Sequence, residues 1–298
     1  MWNQDSQNDF DSLLPGTSTE AGASRRTALK AALGVGFAVS VLPIEAQTVI
    51  TTPTDGLTVG EVTIDVQGFK MPAYRAAPAG KTNLPVVLVI SEIFGVHQHI
   101  ADVAVRFARQ GYLAIAPEMF VRQGDAKNTE FAKLQAEIIS KVPDRQVMGD
   151  LDATVAWAAT QGGDLNRLGI TGFCWGGRIT WLYTAHQPRI KAGVAWYGRV
   201  VGAQTELTPV HPVDIAGKLN APVLGLYGGA DAGIPQDSVD KMRAALKQGP
   251  ATAQASEIVV YPEMPHAFHA DYRPSYRKPA AEDGWKRCLA WFKTQGVV

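Results

Sequence analysis

Cys174 lies between two glycines in a segment, 172–177, that reads Gly-Phe-Cys-Trp-Gly-Gly. The pattern Gly-x-Cys-x-Gly has the form of a nucleophile elbow, a sharp turn between a strand and a helix, with cysteine where serine is usual. Glycines suit such a turn because side chains there would obstruct closely approaching backbone. The N-terminus of the following helix would favour the thiolate form of the sulfur. A small buried cysteine in an ordinary turn is the alternative interpretation.

An aspartate and a histidine follow Cys174 in the order nucleophile, acid, base. Asp231 comes after a predicted strand, 222–227, and His266 comes after the next one, 257–261. A neutral imidazole can accept the proton of the nucleophile, and a carboxylate fixes the tautomer of the imidazole and stabilises the imidazolium. This chain order is that of α/β-hydrolases. Three other residues compete for these roles. Asp237 and Asp240 lie inside the next helix and compete with Asp231, and His269 lies one turn after His266.

The elements that must position these residues alternate between short apolar strands and amphipathic helices. Strands are expected at 61–66, 71–75, 85–91, 112–116, 168–172, 190–196, 222–227 and 257–261. Helices are expected at 100–109, 129–141, 146–160, 177–186, 236–247 and 280–294. This alternation predicts one α/β domain, 60–298, with a mostly parallel sheet, helices on both faces and a hairpin at one edge. Ligands of such sheets gather at the carboxyl ends of the strands.

The first 46 residues differ from the rest of the chain. After a polar, acidic leader, Arg25 and Arg26 precede an uncharged stretch, 31–42, that is too short to cross a bilayer as a helix. The arginine pair, the apolar run and the small residues after it resemble a bacterial twin-arginine export signal. We therefore expect a signal segment at 1–46, a linker at 47–59, and a periplasmic or secreted protein. The alternative is a short buried helix after a polar tail, in a cytoplasmic protein.

The composition excludes several classes of protein. The 298 residues carry 28 basic and 28 acidic side chains without a basic block, so a nucleic-acid-binding surface is not expected. Two cysteines exclude a disulfide-stapled scaffold, and we expect Cys288 to be buried and inert. The spacing of His97 and His99 is not distinctive of a metal site, so neither a metal nor a cofactor is expected. No segment after residue 46 suits a membrane anchor, and we expect a monomer.

A second motif makes the likeness to one family specific. The segment 92–95, Glu-Ile-Phe-Gly, follows the predicted strand 85–91. Together with Gly-Phe-Cys-Trp-Gly-Gly it resembles the dienelactone hydrolase family, the carboxymethylenebutenolidases, over residues 60–298. The resemblance implies that an ester or enol-lactone, a small molecule, is hydrolysed through a thioester, with no cofactor. A general carboxylesterase, a peptidase or a non-catalytic ligand-binding protein on the same fold are the alternatives, because substrate choice depends on loops.

The resemblance also implies roles for individual residues. The catalytic triad would consist of Cys174, Asp231 and His266. Glu92 matches a glutamate that holds the resting thiol until substrate binds. The backbone N–H groups of Ile93 and Trp175 would form the oxyanion hole, in agreement with the general hydrolase geometry, in which each of two loops supplies one donor.

The chain departs from the family at the residues that bind a substrate carboxylate. The best-characterised branch uses two arginines, and one should lie about four residues after the triad histidine, where this chain has Ala270. Arg273 lies close by, and Arg122 or Arg145 could serve from the lid-like region 118–146. Our candidates for substrate binding are Arg273, Phe268 and Trp196; periodicity cannot separate pocket wall from core for the two aromatic residues.

Overall fold

The structure, a computed structural model, describes residues 49–298, so the predicted signal segment 1–46 lies outside the described residues. Its strands are β1 (Leu57–Val66), β2 (Phe69–Pro78), β3 (Leu84–Ile90), β4 (Leu113–Pro117), β5 (Gly163–Phe173), β6 (Ile190–Trp196), β7 (Val223–Gly228) and β8 (Glu257–Tyr261). They form an eight-stranded sheet in the order β1-β2-β4-β3-β5-β6-β7-β8. The hairpin β1–β2 and the pair β2–β4 are antiparallel, and all other neighbours are parallel. The predicted fold and its edge hairpin are confirmed.

Helices cover both faces of this sheet. They are α1 (Gln98–Arg109), α2 (Phe131–Glu137), α3 (Asp144–Thr160), α4 (Trp175–His186), α5 (Pro212–Ile215), α6 (Gln236–Gln248), α7 (Ala251–Gln254) and α8 (Lys278–Thr294). On one face α1 meets α8, where the rings of Phe107 and Trp285 lie 4.6 Å apart. On the other face α3 meets α4, where the Tyr183 hydroxyl donates to Asp152 at 2.9 Å. Within the described part of the chain, no helix is long and apolar enough to cross a membrane.

The centre of the sheet is apolar because it is covered on both sides. All seven residues of β3 are buried, as a continuous apolar run predicts for a central parallel strand. The helix α1 ends before Gly111, whose φ of 94° only glycine adopts readily, as expected for a helix stop. The carboxyl ends of the parallel strands share one edge, and the loops that leave this edge carry Glu92, Cys174, Asp231 and His266.

Several element boundaries differ from the predictions. The single helix predicted at 129–141 is instead α2 followed by a 3-10 turn, Ile139–Lys141, because Ile138 leaves the helical conformation with a φ of −122°. The helix α8 begins at Lys278, two residues earlier than predicted. Pro279 fits in its first turn because proline lacks an N–H, and the N–H groups of a first turn have no acceptor within the helix. Strand β1 begins at Leu57 rather than at 61. The one-turn helices α5 and α7 were not predicted, because four residues are too few to show a periodicity.

Candidate active site

Cys174 occupies a strained turn between β5 and α4. Its φ of 54° lies in the left-handed region, which non-glycine residues rarely adopt, and its N–H donates to the Trp196 carbonyl oxygen at 2.9 Å. The turn needs its glycines: a Cβ on Gly172 would lie 2.2 Å from the carbonyl oxygen of Gly176, and one on Gly176 would lie 2.3 Å from that of Ile90. Strain of this kind persists only where the surroundings hold it, and it concentrates at functional sites.

The start of α4 packs directly on the end of β3. A Cβ on Gly176 would also lie 2.6 Å from the carbonyl oxygen of Ser91, so backbone meets backbone here. This contact places Trp175, the first residue of α4, beside the loop that carries Ile93. The N–H groups of a first helical turn have no acceptor within the helix. The two N–H groups that the resemblance assigns to an oxyanion hole therefore belong to adjacent segments.

His266 and Asp231 form a buried hydrogen-bonded pair. Nδ1 of His266 lies 2.6 Å from Oδ2 of Asp231, whose Oδ1 accepts from the backbone N–H groups of Gly233 and Ile234. Burial disfavours the charged imidazole, but the Asp231 carboxylate and the sulfur of Cys174 outweigh burial and hold the pKa of His266 well above its ordinary value. Because a carboxylate only accepts, Nδ1 carries a proton. Nδ1 faces Asp231, and Cys174 raises the pKa of the same ring, so Nε2 is the nitrogen that remains for the thiol.

The loops after β7 and β8 are bonded to each other, and this explains why Asp231 meets His266. The N–H of Gly229 donates to the carbonyl oxygen of Tyr261 at 2.8 Å. A Cβ on Gly229 would lie only 2.3 Å from the carbonyl oxygen of Pro262, so the two loops touch through their backbones. Asp231 and His266 are therefore positioned by paired loops at neighbouring strand ends.

The competing acids and the competing histidine lie elsewhere. Asp237 pairs with Lys241 at 3.2 Å and Asp240 pairs with Arg243 at 2.9 Å, both on the exposed face of α6. His269 is 2% exposed, and burial, followed by nearby positive charges, lowers the pKa of this imidazole well below its ordinary value. The ring packs in the core against those of Trp196 and Phe173, at 4.6 and 5.1 Å.

Glu92 is buried just after β3, and two side chains hold its carboxylate. The Tyr272 hydroxyl donates to Oε2 at 3.0 Å, and Nε2 of His97 lies 3.1 Å from the same oxygen. Burial alone would raise the pKa, but the hydrogen bond from His97 and the charges of nearby basic side chains, Arg273 among them, outweigh it and lower the pKa of Glu92 to about 2. Glu92 is therefore an anion at neutral pH. Its Oε1 is buried and has no hydrogen-bond partner in the described residues.

Sequence analysis did not identify His97 and Tyr272 as parts of this site. His97 was considered only as a metal ligand together with His99, yet His97 pairs with Glu92 while His99 pairs with Asp271 at 3.0 Å. The feature of the sequence that could have indicated this contact is the position of His97, five residues after Glu92. Tyr272 lies 180 residues from Glu92, so no local pattern links the two.

Arg273 is the arginine that the structure brings to the site. Its guanidinium lies over the ring of Phe94 at 5.5 Å, and its charge acts on Glu92. Arg122 forms an ion pair with Asp150 at 2.5 Å instead. The third candidate, Arg145, is exposed on α3.

Trp196 and Phe268 are completely buried. The indole N–H of Trp196 donates to Thr171 at 3.1 Å, and its ring lies 6.2 Å from that of Phe268. Ala270 is also fully buried, so the position where the family has an arginine belongs to the core here. These side chains pack beneath the site and expose no surface to it.

Several features place Tyr197 at the site as well. Its φ of 37° is strained, and its ring meets that of His266 edge-on at 5.1 Å. Burial, followed by the charge of Glu92 and the presence of Cys174, raises the pKa of Tyr197 well above its ordinary value, so the hydroxyl keeps its proton. This hydroxyl is buried and has no hydrogen-bond partner within residues 49–298.

Known proteins resemble this chain over most of its length. The profile of the dienelactone hydrolase family matches residues 71–296. A "Putative carboxymethylenebutenolidase" of Methylorubrum extorquens is 55% identical over 291 residues, which are 97% of this chain and 99% of the relative. A protein of the same name from Escherichia coli K12 is 54% identical over 263 residues, 88% of this chain and 96% of the relative.

A solved structure agrees with these relatives. The crystal structure of a "Putative Dienelactone Hydrolase" from Klebsiella pneumoniae is 58% identical, with a TM-score of 0.77, and the match covers 80% of this chain and 99% of that one. The family profile and the level of identity, together with the sheet and the strand-end loops described above, show that this chain belongs to the dienelactone hydrolase family and has the α/β-hydrolase fold.

Proposed function

We propose that this chain hydrolyses an ester or an enol-lactone of a small molecule through a thioester on Cys174. The observation that carries the proposal is the buried His266–Asp231 pair, whose second ring nitrogen is left for the cysteine of a strained elbow. The family and the names of its relatives support hydrolysis of a lactone. The chemistry requires no cofactor.

The first half of the reaction forms the thioester. Sγ of Cys174 attacks the carbonyl carbon of the substrate while Nε2 of His266 takes the thiol proton, and Asp231 stabilises the imidazolium. The negative charge on the former carbonyl oxygen is met by the N–H groups of Ile93 and Trp175. When the tetrahedral intermediate collapses, the C–O bond breaks and the leaving oxygen takes the proton from His266. In a lactone this oxygen stays attached to the acyl chain, so the ring opens.

The second half returns the enzyme to its starting state. A water molecule attacks the thioester carbonyl, and His266 takes its proton as general base. The C–S bond then breaks, and the sulfur recovers a proton from His266. The product is a carboxylic acid, with the alcohol or enol released separately or within the opened chain.

The nucleophile is tested by substitution. Cys174→Ala should remain folded and lower kcat by about 10³-fold or more on a panel of aryl esters and lactones, because removal of a nucleophile removes the covalent route. Cys174→Ser should also be much less active, since this site is tuned for a thiol and not for a hydroxyl. Full activity in either variant would show that another residue carries the reaction.

The second cysteine is the matched control. Cys288 is completely buried in α8, and burial raises the pKa of its thiol. Iodoacetamide should therefore modify Cys174 first, and Cys288→Ala should keep the activity. Faster labelling of Cys288 would contradict the assignment.

Glu92 is proposed to control the thiol. A carboxylate near a thiol disfavours the thiolate, which protects the sulfur from oxidation outside the cytoplasm. The support is that Ile90 and Gly172 are partners in the pairing of β3 with β5, so Glu92 and Cys174, each two residues further on, leave neighbouring strands at the same edge of the sheet. Glu92→Gln should make Cys174 react with alkylating agents at lower pH and should impair turnover. Coincident profiles of alkylation rate against pH would remove this role.

Export through a twin-arginine pathway is proposed from the sequence of residues 1–46. Arg25 and Arg26 precede an apolar run of twelve residues, as in signals of this type. Replacement of both arginines by lysine should retain the protein in the cytoplasm of a bacterial host, as measured by cell fractionation. Unchanged export of this variant would contradict the proposal.

A further inference from the structure

The two oxygens of the Glu92 carboxylate differ in their surroundings. Oε2 is the acceptor for both Tyr272 and His97, at 3.0 and 3.1 Å. Oε1 is equally buried and has no hydrogen-bond partner within residues 49–298. Buried polar atoms without partners are rare in folded proteins, and they point to a functional role when they cluster at a site. The hydroxyl of Tyr197 is another such atom.

The two side chains that hold Oε2 are themselves fixed. The ring of His97 packs edge-on against that of Tyr272 at 4.7 Å. The backbone of His97 starts α1, because its carbonyl oxygen accepts the N–H of Ala101 at 3.0 Å. Tyr272 follows Asp271, a fully buried carboxylate that Arg106 anchors at 2.7 Å. The donors therefore come from two separately anchored segments.

His97 donates as a neutral group. Burial lowers the pKa of this imidazole despite the neighbouring Glu92 carboxylate, so the ring is uncharged at neutral pH. A carboxylate accepts hydrogen bonds and does not donate them, so the tautomer of His97 with its proton on Nε2 is the one that fits. Glu92 thus keeps its negative charge while two neutral donors fix its orientation.

We propose that His97 and Tyr272 are positioning residues that fix the orientation of the Glu92 carboxylate through Oε2. The inference rests on the proposed function of Cys174, and it assigns His97 and Tyr272 an effect only through Glu92.

The test is a double-mutant cycle. His97→Leu removes a donor, His97→Gln keeps an amide donor, and Tyr272→Phe removes one oxygen atom. Each is made in the wild-type protein and in the E92Q variant, and kcat, KM for a neutral aryl ester, and the rate of Cys174 alkylation against pH are measured. Tyr261→Phe is the matched control, because it removes a hydroxyl that donates to Asp283 at 2.7 Å away from Glu92.

We expect H97L and Y272F to lower kcat by about tenfold with little change in KM, because small displacements of a positioned group weaken the transition state. Both should shift the alkylation profile part of the way toward that of E92Q, and H97Q should restore most of the loss. In the E92Q background neither substitution should have a further effect. Y261F should behave as the wild-type protein.

Equal effects of H97L and Y272F in both backgrounds would overturn the inference, because the two residues would then act independently of Glu92. If H97L fails to fold, as judged by its thermal melting, Y272F alone decides the outcome. The proposed function fails in a different way, through an active Cys174→Ala. If Cys174→Ala is inactive but the effects of the substitutions in the cycle are additive, only the positioning role is rejected.

Discussion

Nδ1 of His266 lies 2.6 Å from Oδ2 of Asp231, although 35 residues of chain separate them. Both groups are buried, and the second carboxylate oxygen is held by the N–H groups of Gly233 and Ile234. The imidazole therefore has one orientation, with Nδ1 on Asp231 and Nε2 directed away from this carboxylate. Fixing the tautomer of the imidazole is the principal contribution of the acid in a nucleophile–histidine–acid site.

Asp231→Asn should lower kcat by about 10³- to 10⁴-fold while the protein stays folded, because an amide neither stabilises the imidazolium nor enforces the required tautomer. The measurement is steady-state hydrolysis of an aryl ester together with circular dichroism. Asp237→Asn is the matched control, since Asp237 is exposed on α6, where it pairs with Lys241. Comparable losses in the two variants would reject the assignment of Asp231.

Gly176→Ala should lower the free energy of unfolding by about 1–3 kcal/mol, the range for overpacking, because its Cβ would lie 2.3 Å from the carbonyl oxygen of Ile90. Urea unfolding measures the change. Gly217→Ala is the control, because a Cβ there meets nothing within 4 Å. Equal stability of the two variants would mean that the elbow is not packed against β3 as described.

The stability of the fold should depend on Glu92 in acid. Its pKa is lowered from 4.5 to about 2 in the folded protein, so the unfolded chain binds a proton more readily. The resulting stabilisation is complete above pH 4.5 and is lost as the pH falls from 4.5 toward 2. Glu92→Gln should flatten the decline of unfolding free energy across this window, whereas Glu61→Gln, at an exposed position, should not. Parallel curves for wild type and Glu92→Gln would contradict the lowered pKa.

Arg273 is predicted to favour substrates that carry a carboxylate. Arg273→Met keeps the apolar stem of the side chain and removes the guanidinium, so KM for a carboxylate-bearing lactone should rise about tenfold or more, while KM for a neutral ester should change little. Arg145→Met, an exposed position on α3, is the control. An unchanged ratio of the two KM values would show that Arg273 does not bind a substrate carboxylate.

Much of the fold could be predicted because it depends on local patterns. The apolar run of β3 and the glycine after α1 identify a central strand and a helix stop from neighbouring residues alone. The spacing of Gly172, Cys174 and Gly176 predicts the elbow for the same reason, since the requirement for small residues arises within five positions. Element ends were less predictable, because Ile138 interrupts a helix without any proline or glycine to indicate it.

The composition of the site depends on both the local sequence and the tertiary structure. Strand order along the chain pointed to Asp231 and His266, because parallel strands end at one edge of a sheet. The pairing of Glu92 with Tyr272, 180 residues away, depends on how the loop after β8 folds back across α1, and no pattern in the sequence records it. The same holds for Trp196 and Phe268: their aromatic character suits a pocket wall as well as a core, and only packing against other elements shows that both are buried. Local sequence determines which backbone conformations are possible, whereas contacts between distant segments depend on the free energy of the whole packed chain.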